Sequence, residues 1–267
     1  MSGTADPTTS AALTWLGHST VVIDLDGTRL VTDPLLGRHA GLLRRRGSRP
    51  PRGAWEGPDA VLLSHLHHDH AELGSLRMLP RDVPVITAPD NASWLRRKGL
   101  HGVSPDGDGW MDVGSGKRVS VALCRADHSS RPMPHRPNAA NGHLVRSPTV
   151  AIWVAGDTSL YDGMTSLRHE LERRIDLAIV PVSGWGPRLS AGHLGPDEAA
   201  EACALVGARY AVPVHWGTLH APGGRNLPRG WMDRPAREFV SAVARLAPQC
   251  TPLVLRHGVR TEVEGLS

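Results

Sequence analysis

The chain has 267 residues, 40% of them hydrophobic and 21% charged, which is ample material for one large core. Its formal charge of +4 and pI of about 9.4 suit a small anionic substrate but are too modest to argue for nucleic acid. Three cysteines, far apart and outside any CxxC pair, exclude a disulfide framework and fit a reducing cytoplasm.

Residues 1–11 read as a flexible leader, without the basic-then-apolar pattern of a signal peptide. Residues 12–267 read as a single domain, and no apolar run is long enough for a membrane span. The first strand is expected at Leu13–Leu16. A hairpin follows, Thr20–Leu25 and Arg29–Thr32, turned by Asp26-Gly27 and stopped at Asp33-Pro34. Residues 34–58, rich in Arg, Pro and Gly, read as a long basic surface loop with Arg44-Arg45-Arg46 in solvent. Ala60–Ser64 is a short apolar run, as in a buried central strand.

Further along, a helix is expected over Leu73–Leu79, a strand over Val83–Thr87 and a helix over Asn91–Lys98 closed by Gly99. Lys117–Arg125 reads as a strand and residues 129–148 as a second irregular stretch. Strands at Val150–Ala155, Leu177–Pro181 and Ala208–Val214 alternate with helices at Leu167–Arg174 and Pro196–Val206. An amphipathic helix, Pro235–Leu246, and a closing strand, Leu253–Leu255, complete the chain. The order of elements predicts an α/β domain of two sheets with helices outside.

Chemistry concentrates in Ser64–Glu72, which holds four imidazoles and two carboxylates in nine residues. Imidazole is the commonest protein ligand for a divalent transition metal. In an extended segment, residues i and i+2 face the same side, so His65 and His67 can reach one ion. Asp69 and His70 follow at a turn and can face a second. The competing account is a solvated His-rich loop. It is disfavoured because His128, Asp157 and His215 also follow apolar strands at their C-terminal ends.

His65-x-His67-x-Asp69-His70, His128, Gly156-Asp157-Thr158 and Pro213-Val214-His215-Trp216-Gly217-Thr218 together resemble the metallo-β-lactamase-fold hydrolases. Two further stretches resemble the branch of ascorbate-6-phosphate lactonases and N-acyl-phosphatidylethanolamine phospholipases D. These are Trp15-Leu16-Gly17-His18-Ser19-Thr20 and Gly192-His193-Leu194-Gly195-Pro196-Asp197-Glu198-Ala199. The resemblance implies a four-layer αββα sandwich with two metals at one edge. It places His65, His67 and His128 on one ion, Asp69, His70 and His215 on the other, and Asp157 between them. Zinc suits this N/O set, and manganese or iron is compatible.

Such a pair would share a hydroxide made near neutral pH and polarise the bond under attack. The expected activity is hydrolysis of a small ester, lactone or phosphodiester. Asp69 is the candidate proton acceptor. His193 is the candidate proton donor to the leaving group, or a hydrogen-bonding partner of the substrate. Asp33 and His18 are expected behind the ligands, and Arg131, His135, Arg136, Trp185 and Arg188 are in loops that could line the pocket. Alternatives are a phosphodiesterase or nuclease of the same fold, or a non-catalytic metal-binding scaffold. The partner is expected to be a small molecule, and a homo-oligomer stays open.

Overall fold

A computed structural model describes residues 11–106, 109–128 and 135–263. The hairpin forms as the turn chemistry requires: Asp26 and Gly27 both take positive φ (49° and 78°), which matches the twist of the strands they join. Strand Ala11–Gly17 pairs with Thr20–Leu25, and Ala11 is already opposite Leu25, so the strand begins inside the expected leader. Among the described residues, the first sheet has seven strands. Their spatial order is Arg260–Glu262, Ala11–Gly17, Thr20–Leu25, Thr28–Thr32, Ala60–Leu62, Val85–Ile86 and Gly102–Val103. The second also has seven: Thr251–Pro252, Tyr210–Val214, Leu177–Pro181, Ala151–Val154, Asn141–Arg146, Val119–Arg125 and Met111–Val113.

The two sheets face each other across an aliphatic core. Leu13, Ile23 and Leu62 of the first meet Val121, Ile152, Ile179 and Val212 of the second. Outside the first sheet, Val22, Val31 and Val61 pack under Trp94 and Leu95 of helix Pro89–Arg97. Outside the second, Trp153, Ala178 and Val180 pack under Ala199 and Cys203 of helix Pro196–Val206 and Phe239 of helix Arg234–Leu246. The architecture is the αββα sandwich.

Several expected boundaries change. The stretch 34–58 is not a plain loop: His39–Ala40 and Leu43–Arg45 form a small sheet with Leu219–His220. Arg45 is buried there, not solvated. Its guanidinium donates to the carbonyls of Leu16 (2.8 Å), Gly37 (3.1 Å) and Leu35, and burial lowers its pKa to about 10. The irregular stretch expected at 129–148 contains strand Asn141–Arg146. Helix Leu73–Leu76 ends a turn early. The closing strand is not at Leu253–Leu255. Thr251–Pro252 ends the second sheet, and Arg260–Glu262 returns to pair with Ala11–Gly17.

Strand direction gathers the site. Ala60–Leu62 runs parallel to both neighbours. Ala151–Val154, Leu177–Pro181 and Tyr210–Val214 are mutually parallel, and Val119–Arg125 runs the same way through an antiparallel intermediary. The segments after these strands therefore emerge at one edge, where open α/β sheets place their chemistry.

Candidate metal centre

The edge is stitched across the two sheets. The amide of His215 donates to the His18 carbonyl (3.0 Å), and the amide of Asn141 to the Ser64 carbonyl (3.0 Å). Trp15 stacks on Trp216 at 4.8 Å and donates its indole N–H to the His18 carbonyl. His18, Asp33 and His215 all take positive φ (52°, 32° and 63°), a strain that the surrounding bonds must hold. Gly156, with φ +65°, lets the chain before Asp157 approach closely. A Cβ there would lie 2.7 Å from Ser64 Cβ and 2.9 Å from the Asn141 carbonyl oxygen.

Seven imidazoles and two carboxylates converge here. Ligand atoms within 4.8 Å of one another form the sets His65/His67/His128, His18/Asp69/His70/His215, His65/His70/Asp157 and His128/Asp157/His193. Asp157 therefore belongs to two sets that overlap the others. Its Oδ2 lies 3.0 Å from His70 Nε2, 3.2 Å from His215 Nε2, 3.2 Å from His193 Nε2 and 3.9 Å from His65 Nε2.

The outer ring nitrogens say which atoms face inward. His128 Nδ1 donates to the Gly192 carbonyl (2.7 Å) and His215 Nδ1 to the Ser183 carbonyl (2.8 Å). His70 Nδ1 donates to Asp33 Oδ2 (2.7 Å), which also accepts from Ser64 Oγ (2.7 Å). With those protons placed outside, Nε2 of His70, His128 and His215 each turns a lone pair inward. His70 Nε2 and His215 Nε2 then face one another at 3.1 Å beside a carboxylate. Both Asp157 oxygens are buried without an aligned hydrogen-bond donor among the described residues, despite the crowding nitrogens. Acceptors packed this closely repel unless a cation sits among them. The donor set therefore fits divalent metal, with imidazole nitrogen and carboxylate oxygen as zinc prefers.

Electrostatics point the same way. Burial lowers the pKa of His65 well below its usual range and that of His67 to about 4, so both are neutral bases ready to bind metal. Burial works in the same direction on His70 and His215, but Asp157 and the nearby carboxylates outweigh it. They push His70 well above the usual range and His215 to about 9, so without metal this side of the site draws protons instead. Burial opposes ionisation of Asp69 and Asp157, yet the histidines hold both carboxyls well below the usual range. A small, tight cavity lies beside His65, His67 and His128, walled by Pro137, Asn138, Ala139 and Ala140.

The remaining expected residues divide. His18 is inside the centre: buried, neutral with a pKa lowered to about 3 by burial, and bonded through Nε2 to Asp69 Oδ2 at 3.0 Å. His193 is partly buried, its side chain 10% exposed, with Nε2 towards Asp157 and Nδ1 3.0 Å from Ser190 Oγ. Glu72 caps helix Leu73–Leu76, accepting from the amides of Gly74 (2.8 Å) and Ser75 (2.6 Å). His68 is exposed and turned away from the centre. Trp185, 47% exposed, and Arg188, also exposed, stand outside the buried centre on the loop that carries His193. Arg131 lies outside the described residues. Arg136 turns towards the His67–His70 segment and not into the cavity. The carbonyls of Gly192 and Ser183, which orient two ligands, carry no signal in sequence because every residue has one.

Residues 28–216 match the profile of the β-lactamase superfamily domain. N-acyl-phosphatidylethanolamine-hydrolyzing phospholipase D 1 of Caenorhabditis elegans is 29% identical over 231 residues, covering 77% of this chain. The chain spans 63% of that protein's length. A UPF0173 metal-dependent hydrolase of Azorhizobium caulinodans is 31% identical over 222 residues, covering 78% of this chain and 86% of that protein. Among solved structures, the metallo hydrolase Igni18 of Ignicoccus hospitalis superposes with a TM-score of 0.71 at 21% identity, covering 96% of this chain and 99% of that one. The metallo-β-lactamase fold protein YhfI of Bacillus subtilis gives 0.63 at 15%, covering 96% and 100%. These structures share the fold, while the profile and the sequence relatives carry the kinship: the chain belongs to the β-lactamase superfamily, as a metal-dependent hydrolase.

Proposed function

We propose that the chain holds two divalent metal ions, zinc by its donor set, and hydrolyses a small ester, lactone or phosphodiester. His65, His67 and His128 take one ion, Asp69, His70 and His215 the other, and Asp157 serves both. The observation that carries this is the pair of adjacent ligand sets whose inward lone pairs share one buried carboxylate. Two bound ions supply Lewis acidity and a nucleophile from water near neutral pH.

The chain's own groups supply the rest. In this reading Asp69, held by the His18 N–H, accepts a proton from the attacking water. In this reading His193, 3.2 Å from Asp157, hydrogen-bonds the substrate or protonates the leaving group. The 29% identity with a phospholipase D, named for a phosphodiester substrate, supports the phosphodiester arm. Trp185 and Leu189, exposed on the His193 loop, would give a substrate apolar contact.

The test is a metal count on purified protein beside rates on chromogenic esters, lactones and phosphodiesters. We expect bound metal, and roughly 10²-fold or greater loss of rate with loss of metal in His65→Ala and Asp157→Ala. Metal-free protein at neutral pH whose variants keep every activity overturns the proposal.

A further inference from the structure

The segment Leu66–Ala71 carries His67, Asp69 and His70 outside any strand or regular helix. Its internal bonds are few: the amides of His70 (3.1 Å) and Ala71 (2.7 Å) both donate to the His67 carbonyl. The carbonyls at its two ends have no strand neighbour and need other donors. One side chain meets both. Arg136 Nη1 donates to the Leu66 carbonyl (2.7 Å) and the Ala71 carbonyl (3.2 Å), and Nη2 donates to His68 Nδ1 (3.2 Å).

The guanidinium is itself held. It lies over the Trp94 ring at 5.1 Å, and Trp94 donates its indole N–H to the His135 carbonyl at 2.9 Å. Trp94 is buried on helix Pro89–Arg97, so the clamp is anchored to the outer helical layer. Directly after Arg136 come residues 137–140, the wall of the cavity beside His65, His67 and His128, and Asn91 fastens that wall through the Ala139 carbonyl (3.0 Å). Arg136 thus ties the ligand segment and the cavity wall to one helix. A planar fork can span two carbonyls and a ring nitrogen together; an ammonium cannot match that geometry.

We propose that Arg136 is a positioning residue that pre-organises Leu66–Ala71 for metal, which rests on the two-metal assignment above. It touches no inward-facing ligand atom in the site. Its effect is to remove the conformational cost of gathering His67, Asp69 and His70, as supporting residues do at built metal sites.

The experiment uses the full chain stripped of metal, with Zn²⁺ as the probe against a competing chromophoric chelator. Amide deuterium exchange at His70 and Ala71 is measured in the metal-free state. Arg136→Gln should weaken Zn²⁺ binding about 10–100-fold and speed exchange at both amides. Arg136→Lys should recover only part of each, and if Arg136→Gln does not fold, it carries the test. Lys98→Ala, which removes the other cation on Trp94 (5.3 Å), should leave both readouts unchanged. Wild-type affinity in Arg136→Gln overturns the proposal, and so does unchanged exchange. A wild-type chain that binds no Zn²⁺ overturns the two-metal assignment, and the exchange measurement then decides the brace by itself.

Discussion

At the residue scale, the centre is a set of imidazoles whose outer nitrogens are spoken for. His70 is fixed by Asp33, His128 by the Gly192 carbonyl and His215 by the Ser183 carbonyl. His193 differs in what holds it: its Nδ1 partners, Ser190 and Ala191, are exposed residues of its own loop. A ring anchored to an exposed loop suits a group that meets substrate. If it protonates the leaving group, His193→Ala should slow substrates with poor leaving groups by about 10²–10⁴-fold. Nitrophenyl substrates, whose leaving group needs no proton, should slow far less. Equal slowing of both, read from kcat/KM on matched alkyl and nitrophenyl esters, would argue against the role.

At the scale of elements, the two sheets are joined by polar links as well as by the aliphatic core. His143, on strand Asn141–Arg146, donates through Nε2 to the Ile86 carbonyl of the first sheet at 3.0 Å. Burial lowers its pKa from 6.5 to about 4, although that hydrogen bond raises it. The unfolded chain therefore takes up a proton near pH 6.5 that the fold refuses until about pH 4. The stabilising contribution is complete above 6.5 and is lost as pH falls towards 4. Between about pH 7 and pH 5 the loss from this group is ~2 kcal/mol. In urea unfolding of metal-free protein, whose other buried histidines titrate too, His143→Gln should remove that part of the pH dependence. An identical pH dependence in the variant would refute the assignment.

The same strand shows why part of the fold was not legible. In Asn141-Gly142-His143-Leu144-Val145-Arg146, Asn141 and His143 are buried as links between layers, so no alternation marks the strand. Arg260–Glu262 is equally silent: a polar strand whose only strand partner among the described residues is Ala11–Gly17. The hairpin, the apolar run Ala60–Leu62 and helix Pro196–Val206 were legible because local chemistry decides each one. Asp-Gly sets the turn, an all-apolar run demands burial on both faces, and Pro at the first helical position begins the helix.

For the whole molecule, the site joins the two sheets, so occupancy and stability are linked. The candidate ligands follow strands of both sheets, and His18 and His215, both at positive φ, are joined across them by the bond from the His215 amide to the His18 carbonyl. Metal at about a hundredfold over its dissociation constant should raise Tm on the order of 5–10 °C per site. Thermal melts with and without chelator measure this, and the shift should be absent in Asp157→Ala. Wild-type melts that coincide in both conditions would contradict the linkage. No helix among the described residues is long and apolar enough to cross a membrane.

The sequence by itself determined the kind of chemistry and the class of fold. The identity and spacing of candidate ligands are local properties, and the periods of strands and helices are written in apolar pattern. What only the tertiary structure decided is how the ligands are supported. His18 against Asp69 is 51 residues away in the chain, and Arg136 against Leu66 is 70. The carbonyls that orient His128 and His215 come from the loop after Leu177–Pro181. Such contacts depend on which strand ends meet at one edge, and that follows from packing two sheets over a common core, not from any local run of residues.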